Sequence, residues 1–433
     1  MRKIFLLSLL LSLFLPNLLA QYKYSMRAIG YVGKIVPHSK NLDSIATGNI
    51  LGGEIAFEWQ PTGEQHWQQF WNFPTVGLGL VGLNLGNNNL LGNAFAVYPY
   101  VLVPVVNTNY FRLNYKIGAG LALVTKTWND ADIFHDVDAA TANSAISSHL
   151  NFYLNTGANL EFVLTDKFSL TADAGFSHIS CGSIRNPNYG LNMLYGQVGM
   201  KYSFADYPSC SRLIYNPAYE LPFDIEGKVA VSGGSREIHF NDRMSFFVGS
   251  IHAGLTFVLK NWYAVGGGLD FFYDGAFTNR PNYNELFTRY KIDENLFSNK
   301  IRGGIAINNE FIMGRITGLF DFGIYLYDPM RNAYAEPHKK YGYHRPMFYS
   351  YDIQKQDGWN YFRLGIRYRI WDNFMAQVSV KMHLQKAEML EFGIGYLLPF
   401  ARPKHSLLSK SWKDYYFYHH GQKEATAYPT PWK

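Results

Sequence analysis

The sequence predicts an all-β fold, an antiparallel transmembrane β-barrel of about 16 strands built from two related eight-stranded halves. Three observations predict it. Apolar and polar residues alternate along stretches of about 8–15 residues, the length a membrane strand needs. The chain is 17% aromatic and only 17% charged, with 39 Gly, 32 Tyr and 32 Phe in 433 residues. Beyond residue 20 no apolar run reaches the length of about 20 residues that a membrane helix takes. A secreted soluble β-sandwich is the plainer alternative, and alternation sustained over so many strands speaks against it.

Residues 1–20, MRKIFLLSLLLSLFLPNLLA, read as a signal peptide: Arg2 and Lys3 start it, an apolar run follows to Phe14, and small Ala20 precedes Gln21. No Cys stands at that junction, so nothing suggests a lipid anchor there. The formal charge of +6 is mild, and no basic stripe accompanies a recognition motif, so no nucleic-acid partner is expected.

The first barrel half spans residues 21–204, with strands expected near 24–36, 50–59, 76–84, 91–106, 109–127, 149–164, 167–180 and 190–204. The sixth is the clearest. Phe152, Leu154, Ala158, Leu160, Phe162 and Leu164 share one face, and Asn151, Asn155, Gly157, Asn159 and Glu161 share the other. An amide or carboxylate is costly against lipid and solvated in a lumen, so the polar face points inward. With the N-terminus periplasmic, 37–49, 128–148 and 181–189 become outer loops and Thr165–Lys167 a tight inner turn.

Residues 205–222 break the alternation and read as a linker. The second half, 223–400, resumes it near 224–236, 244–259, 261–274, 299–311, 314–328, 358–371, 373–385 and 387–400. It reads as a degenerate copy of the first, aligned at the turns Thr165-Asp166-Lys167 and Trp371-Asp372-Asn373. Phe362, Leu364, Ile366, Tyr368 and Ile370 repeat the lipid face, while Arg363, Arg367 and Arg369 point into a lumen. The repeat is compatible with one large barrel or two tandem small ones; the inward arginines, which need water around them, favour one. Residues 401–433 form a basic, aromatic tail, read as a periplasmic extension.

One hairpin carries chemistry. On FSLTADAGFSHIS, Phe168, Leu170, Ala172, Ala174 and Phe176 face lipid, and His178 and Ser180 end that same face. On the next strand Leu194, Val198, Met200, Tyr202 and Phe204 form the apolar face, and Asn192 belongs to it. A base, a hydroxyl and a hydrogen-bonding orienter at the rim of an apolar wall suggest ester hydrolysis on a membrane substrate. Residues i and i+2 of a strand lie about 7 Å apart at Cα, within reach of a side-chain hydrogen bond. In the second half the aligned positions are Leu384, Lys386 and Glu388, so the copy carries no such site. His383 has the other parity and points inward.

With the run His178-Ile179-Ser180, then Asn186-Pro187-Asn188-Tyr189-Gly190-Leu191-Asn192, the chain resembles the outer-membrane lipid A 3-O-deacylases, also known as acyloxyacyl hydrolases. The earlier TGEQHWQQFWNFPTVGLGL, with Trp67, Pro74 and Gly77, is similar to members from the Bacteroidetes. The resemblance covers residues 22–204; the second half matches only as a weak repeat. It implies a serine esterase that removes an acyl chain from lipid A of lipopolysaccharide in the outer leaflet of a Gram-negative outer membrane. It also implies that His178 is the general base and Ser180 the nucleophile, with Asn192 standing where the family has Glu. Cys181 stands where the family often has an oxyanion-assisting Asn, which leaves the backbone of Cys181 and Gly182, or Asn186 or Asn188, to supply oxyanion donors. The alternative function is a non-enzymatic channel or scaffold barrel with a degenerate site.

No cofactor and no metal are expected: there is no phosphate-cradling Gly loop and no zinc-protease motif. Asp130, Asp132, Asp136 and Asp138 with His135 read as a solvated acidic loop, since EF-hand spacing is absent. Cys181 and Cys210 fall at opposite ends of the wall in this topology, farther apart than the ~7 Å a disulfide tolerates, so both are expected as free thiols.

Overall fold

The computed structural model describes residues 22–61, 66–128, 143–204, 224–237, 244–259, 262–278, 295–333, 345–351, 357–384 and 386–400. The expected signal peptide, the linker, the C-terminal tail, Cys210 and the acidic cluster with His135 lie outside the described residues. The chain divides into two compact units, each built around one closed barrel of eight antiparallel strands.

In the first barrel the strands are β1 (Tyr22–Ile35), β2 (Asn49–Pro61), β3 (Thr75–Asn84), β4 (Asn93–Asn107), β5 (Phe111–Val124), β6 (Leu150–Val163), β7 (Phe168–Ser180) and β8 (Leu191–Ser203). Each pairs with its neighbour in sequence, and β1 closes on β8, for example Ile35 opposite Met193. The second barrel comprises β9 (Asp224–Glu237), β10 (Ser245–Leu259), β11 (Tyr263–Asp274), β12 (Ile301–Met313), β13 (Ile316–Tyr327), β14 (Asn360–Arg369), β15 (Phe374–His383) and β16 (Lys386–Pro399). Here β16 closes on β9.

Parity sorts the side chains as a membrane barrel requires. Ile55, Leu80, Phe95, Leu123, Leu194 and Val198 are exposed on the outer wall of the first barrel. The intervening polar residues are buried in its interior. There Arg27 pairs with Glu54 (3.2 Å), Glu58 (3.3 Å) and Asp173 (3.2 Å), and Lys116 pairs with Glu54 (3.4 Å) and Asp173 (3.1 Å). Tyr98 and Tyr100 donate to Glu54 and Glu58, each at 2.6 Å. Eight strands leave an interior that side chains fill, and here a network of ion pairs and hydrogen bonds fills it.

Two expectations about the second half are corrected. The inward arginines favoured one wide barrel, yet there are two closed barrels. Carboxylates pair with all three guanidinium groups. Arg363 is 2% exposed and reaches Asp270 and Glu391 at 2.9 Å, Arg367 pairs with Glu310, and Arg369 pairs with Glu226 at 2.8 Å. Buried carboxylates replace the expected water. The second correction concerns Glu388, aligned in sequence with Asn192. Glu388 is 4% exposed and pairs with Arg302 (3.1 Å) and Lys381, whereas Asn192 stands on the outer face. An irregularity in the β15–β16 pairing between Lys381 and Met382 separates the two hairpins; such a bulge re-aims the side chains beyond it. His383 is buried and hydrogen-bonds Tyr325 at 2.8 Å, the inward parity expected of it.

Candidate active site

The ends of β7 and β8 are held from inside the barrel. Ile179, Leu191 and Met193 are fully buried, packed in a cluster with Leu42 and Ile45 from the β1–β2 loop, Leu85 and Leu91 from the β3–β4 loop, and Ile146 from the β5–β6 loop. Each such side chain contributes about 1.5–3 kcal/mol by leaving water. Ser177 is buried too, its hydroxyl 3.2 Å from that of Tyr31. With 177 and 179 fixed inward, the pleat turns His178 and Ser180 outward, following exposed Phe176.

His178 and Asn192 are Cα partners in the β7–β8 ladder, and His178 Nδ1 lies 2.6 Å from Asn192 Oδ1. A carbonyl oxygen only accepts, so this contact places a proton on Nδ1 and leaves Nε2 with a lone pair. Gly190 packs against the imidazole edge with φ +74°; a Cβ there would stand 2.7 Å from His178 Cε1 and 3.2 Å from Nε2. Glycine at 190 is therefore set both by the left-handed backbone and by the ring beside it.

Ser180 ends β7 two residues beyond His178, opposite Phe152. Among the described residues no side-chain hydrogen bond joins it to His178, a contact that apo enzymes often leave open until substrate binds. Of the four expected oxyanion contributors, Cys181 and Asn188 lie together: the Cys181 backbone N–H donates to Asn188 Oδ1 at 3.2 Å. That N–H is engaged, while among the described residues the Asn188 Nδ2 donors have no hydrogen-bond partner. Gly182 and Asn186 fall outside the first compact unit. Cys181 is a buried free thiol.

One residue escaped the sequence reading. His38, just after β1, has its Nδ1 3.1 Å from Asn192 Nδ2, and its ring meets that of Tyr189 at 6.5 Å in an edge-on arrangement. The signal was available: in an up-and-down barrel the first strand closes on the last, so residues following β1 come to rest beside the start of β8. The Val36 N–H indeed donates to Asn192 O at 2.8 Å.

For metals, Asp357, His383 and Glu388 in the second barrel bring ligand atoms within 4.8 Å of one another. Arg302 already binds Asp357 (2.9 Å) and Glu388 (3.1 Å), and Lys381 binds Glu388. A cation there would compete with fixed positive charge, and the group reads as an ion-paired interior.

Among solved structures, the chain is similar to the N-terminal β-barrel domain of Pseudomonas aeruginosa OprF, with 16% identity, 42% of this chain and 100% of that one covered, and a TM-score of 0.24. It is similar to the outer membrane enzyme PagL, with 17% identity, coverage of 42% and 99%, and a TM-score of 0.18. The P. putida toluene transporter TodX shares 8% identity over 88% of this chain and 90% of its own, with a TM-score of 0.16. No curated protein matches the chain. The sequence-family matches divide at the same place as the barrels: residues 52–201 match the lipid A 3-O-deacylase family, and residues 225–358 and 348–400 match the acyloxyacyl hydrolase C-terminal domain. The chain thus belongs to the lipid A 3-O-deacylase and acyloxyacyl hydrolase family of Gram-negative outer-membrane β-barrel hydrolases.

Proposed function

We infer that the first barrel hydrolyses an acyl ester of lipid A in the outer leaflet, with Ser180 as nucleophile, His178 as general base and Asn192 as the group that orients His178. The observation that carries this reading is the 2.6 Å contact between His178 Nδ1 and Asn192 Oδ1, on the lipid-facing rim and two residues from outward Ser180. With its proton on Nδ1, His178 presents the Nε2 lone pair that a serine hydroxyl needs.

In the proposed cycle Nε2 takes the Ser180 proton as Oγ attacks the ester carbonyl. The tetrahedral oxyanion accepts from Asn188 Nδ2. Collapse breaks the bond to the sugar oxygen, which leaves with the proton from His178, and water then cleaves the acyl-serine by the same steps. The site lies on the wall, where an acyl chain already lies in the bilayer. The ion-paired barrel interior supports a wall-side substrate over passage through a lumen.

Mass spectrometry of lipid A from cells expressing the wild-type chain should show loss of one acyl chain. Ser180→Ala and His178→Ala should abolish that loss while still giving a heat-modifiable barrel. Leu384→Ala and Lys386→Ala should leave it unchanged. Deacylation at the wild-type rate by a folded Ser180→Ala protein would overturn the assignment.

A further inference from the structure

Asn192 stands between two imidazoles. Its Oδ1 is 2.6 Å from His178 Nδ1 and its Nδ2 is 3.1 Å from His38 Nδ1. A side-chain amide has two unlike ends, and only one of its two orientations serves the chemistry. With the carbonyl toward His178, the base holds its proton on Nδ1 and offers Nε2 to Ser180. With the amide reversed, the NH2 group meets Nδ1, which must then accept; the proton moves to Nε2, and the base is lost. The family pattern places a carboxylate here, whose two oxygens are both acceptors, so the ambiguity arises from this chain's Asn192.

We propose that His38 is a positioning residue for the hydrolase, accepting a hydrogen bond from Asn192 Nδ2 so that the carbonyl end of the amide faces His178. The assignment rests on the proposed roles of His178 and Ser180. His38 acts as a neutral ring with its proton on Nε2, because only an unprotonated Nδ1 accepts from an NH2 group. Two neighbours hold it in place. The Val36 N–H bonds Asn192 O at 2.8 Å and fixes where the chain leaves β1, and Tyr189 lies edge-on to the His38 ring. His38 is itself exposed, so its removal disturbs little packing.

The test is a double-mutant cycle on the full-length, detergent-purified protein, with lipid A as substrate and released fatty acid as readout. His38→Ala should lower kcat about tenfold, the scale of one orienting hydrogen bond, with KM little changed. His38→Gln, whose amide oxygen can accept from Asn192, should restore most of the rate. In an Asn192→Glu background His38→Ala should cost nothing, because a carboxylate has no wrong end. An equal loss in both backgrounds would show a merely structural role and overturn the proposal, as would a His38→Ala enzyme as fast as wild type. Ser180→Ala separates the two failures: if it is inactive while the His38 variants are unaffected, only the role of His38 falls. If Ser180→Ala is active, the site itself is wrong and His38 falls with it.

Discussion

His178 and Asn192 face each other across the β7–β8 ladder, with the imidazole Nδ1 2.6 Å from the amide oxygen. The contact joins an imidazole on one strand to a side-chain amide on the next, at the lip of a wall whose inner side is packed shut by Ile179, Leu191 and Met193. It supplies a tautomer but no charge.

That missing charge gives the first prediction. In a Ser-His-Asp enzyme, exchanging the acid for an amide costs about 10⁴ in rate, largely through the wrong tautomer. The His178–Asn192 geometry already fixes the tautomer, so Asn192→Glu should gain only the remainder, about tenfold in kcat. The gain needs an ionised carboxylate, so it should be present above that group's pKa, ordinarily about 4.3, and fade as pH falls through it. Asn192→Leu should be slower than wild type. A pH series of initial rates on the three proteins checks both statements.

Asn188 is expected to act through its amide nitrogen. Its Oδ1 caps the Cys181 N–H at 3.2 Å, which leaves Nδ2 to meet an oxyanion. Loss of one such donor costs about 10²–10³ in kcat. Asn188→Asp keeps the acceptor for Cys181 but removes the donor, so it should lose as much as Asn188→Ala. If Asn188→Asp turns over lipid A at the wild-type rate, Asn188 is a loop cap and nothing more.

Gly190→Ala should lower activity further than it lowers stability. The left-handed φ of +74° costs an L-residue roughly 1–2 kcal/mol. The added Cβ would also stand 2.7 Å from His178 Cε1 and 3.1 Å from Ile179 O, so the ring must move. Displacing a base from its working position costs about tenfold or more in kcat. Rate and unfolding midpoint measured on the same preparation separate the two effects.

Arg27→Met should destabilise the first barrel strongly. It leaves Glu54, Glu58 and Asp173 without the cation they share. Removing one partner of a buried pair costs about 3–5 kcal/mol, because charge is left uncompensated. Outward Val32→Ala, which touches none of these groups, is the control. Urea unfolding of the two variants in detergent, read as the loss of heat-modifiable mobility, should place Arg27→Met well below Val32→Ala.

The strands, their faces and the outward parity of His178, Ser180 and Asn192 are legible in the amino-acid pattern alone. The reason is local: a pleat of period two sorts side chains at once, and lipid tolerates so few polar groups that the apolar face is legible in every strand. Asn155, Asn159 and Glu161 point inward, and Leu154 and Phe162 outward, as their positions along β6 require. What depends on closure is set only once the strands are paired into barrels. Strand patterns are the same for one wide barrel and two narrow ones, and only the hydrogen bonds of β1 to β8 and of β16 to β9 distinguish them. Closure also decided the partners of charge. Arg363 finds Asp270 and Glu391, residues 93 and 28 positions away in the chain, where alternation alone asked for water. The same closure carries His38 across 154 positions to Asn192. No periodicity along the chain relates two such residues; only the pairing of the first strand with the last brings them together.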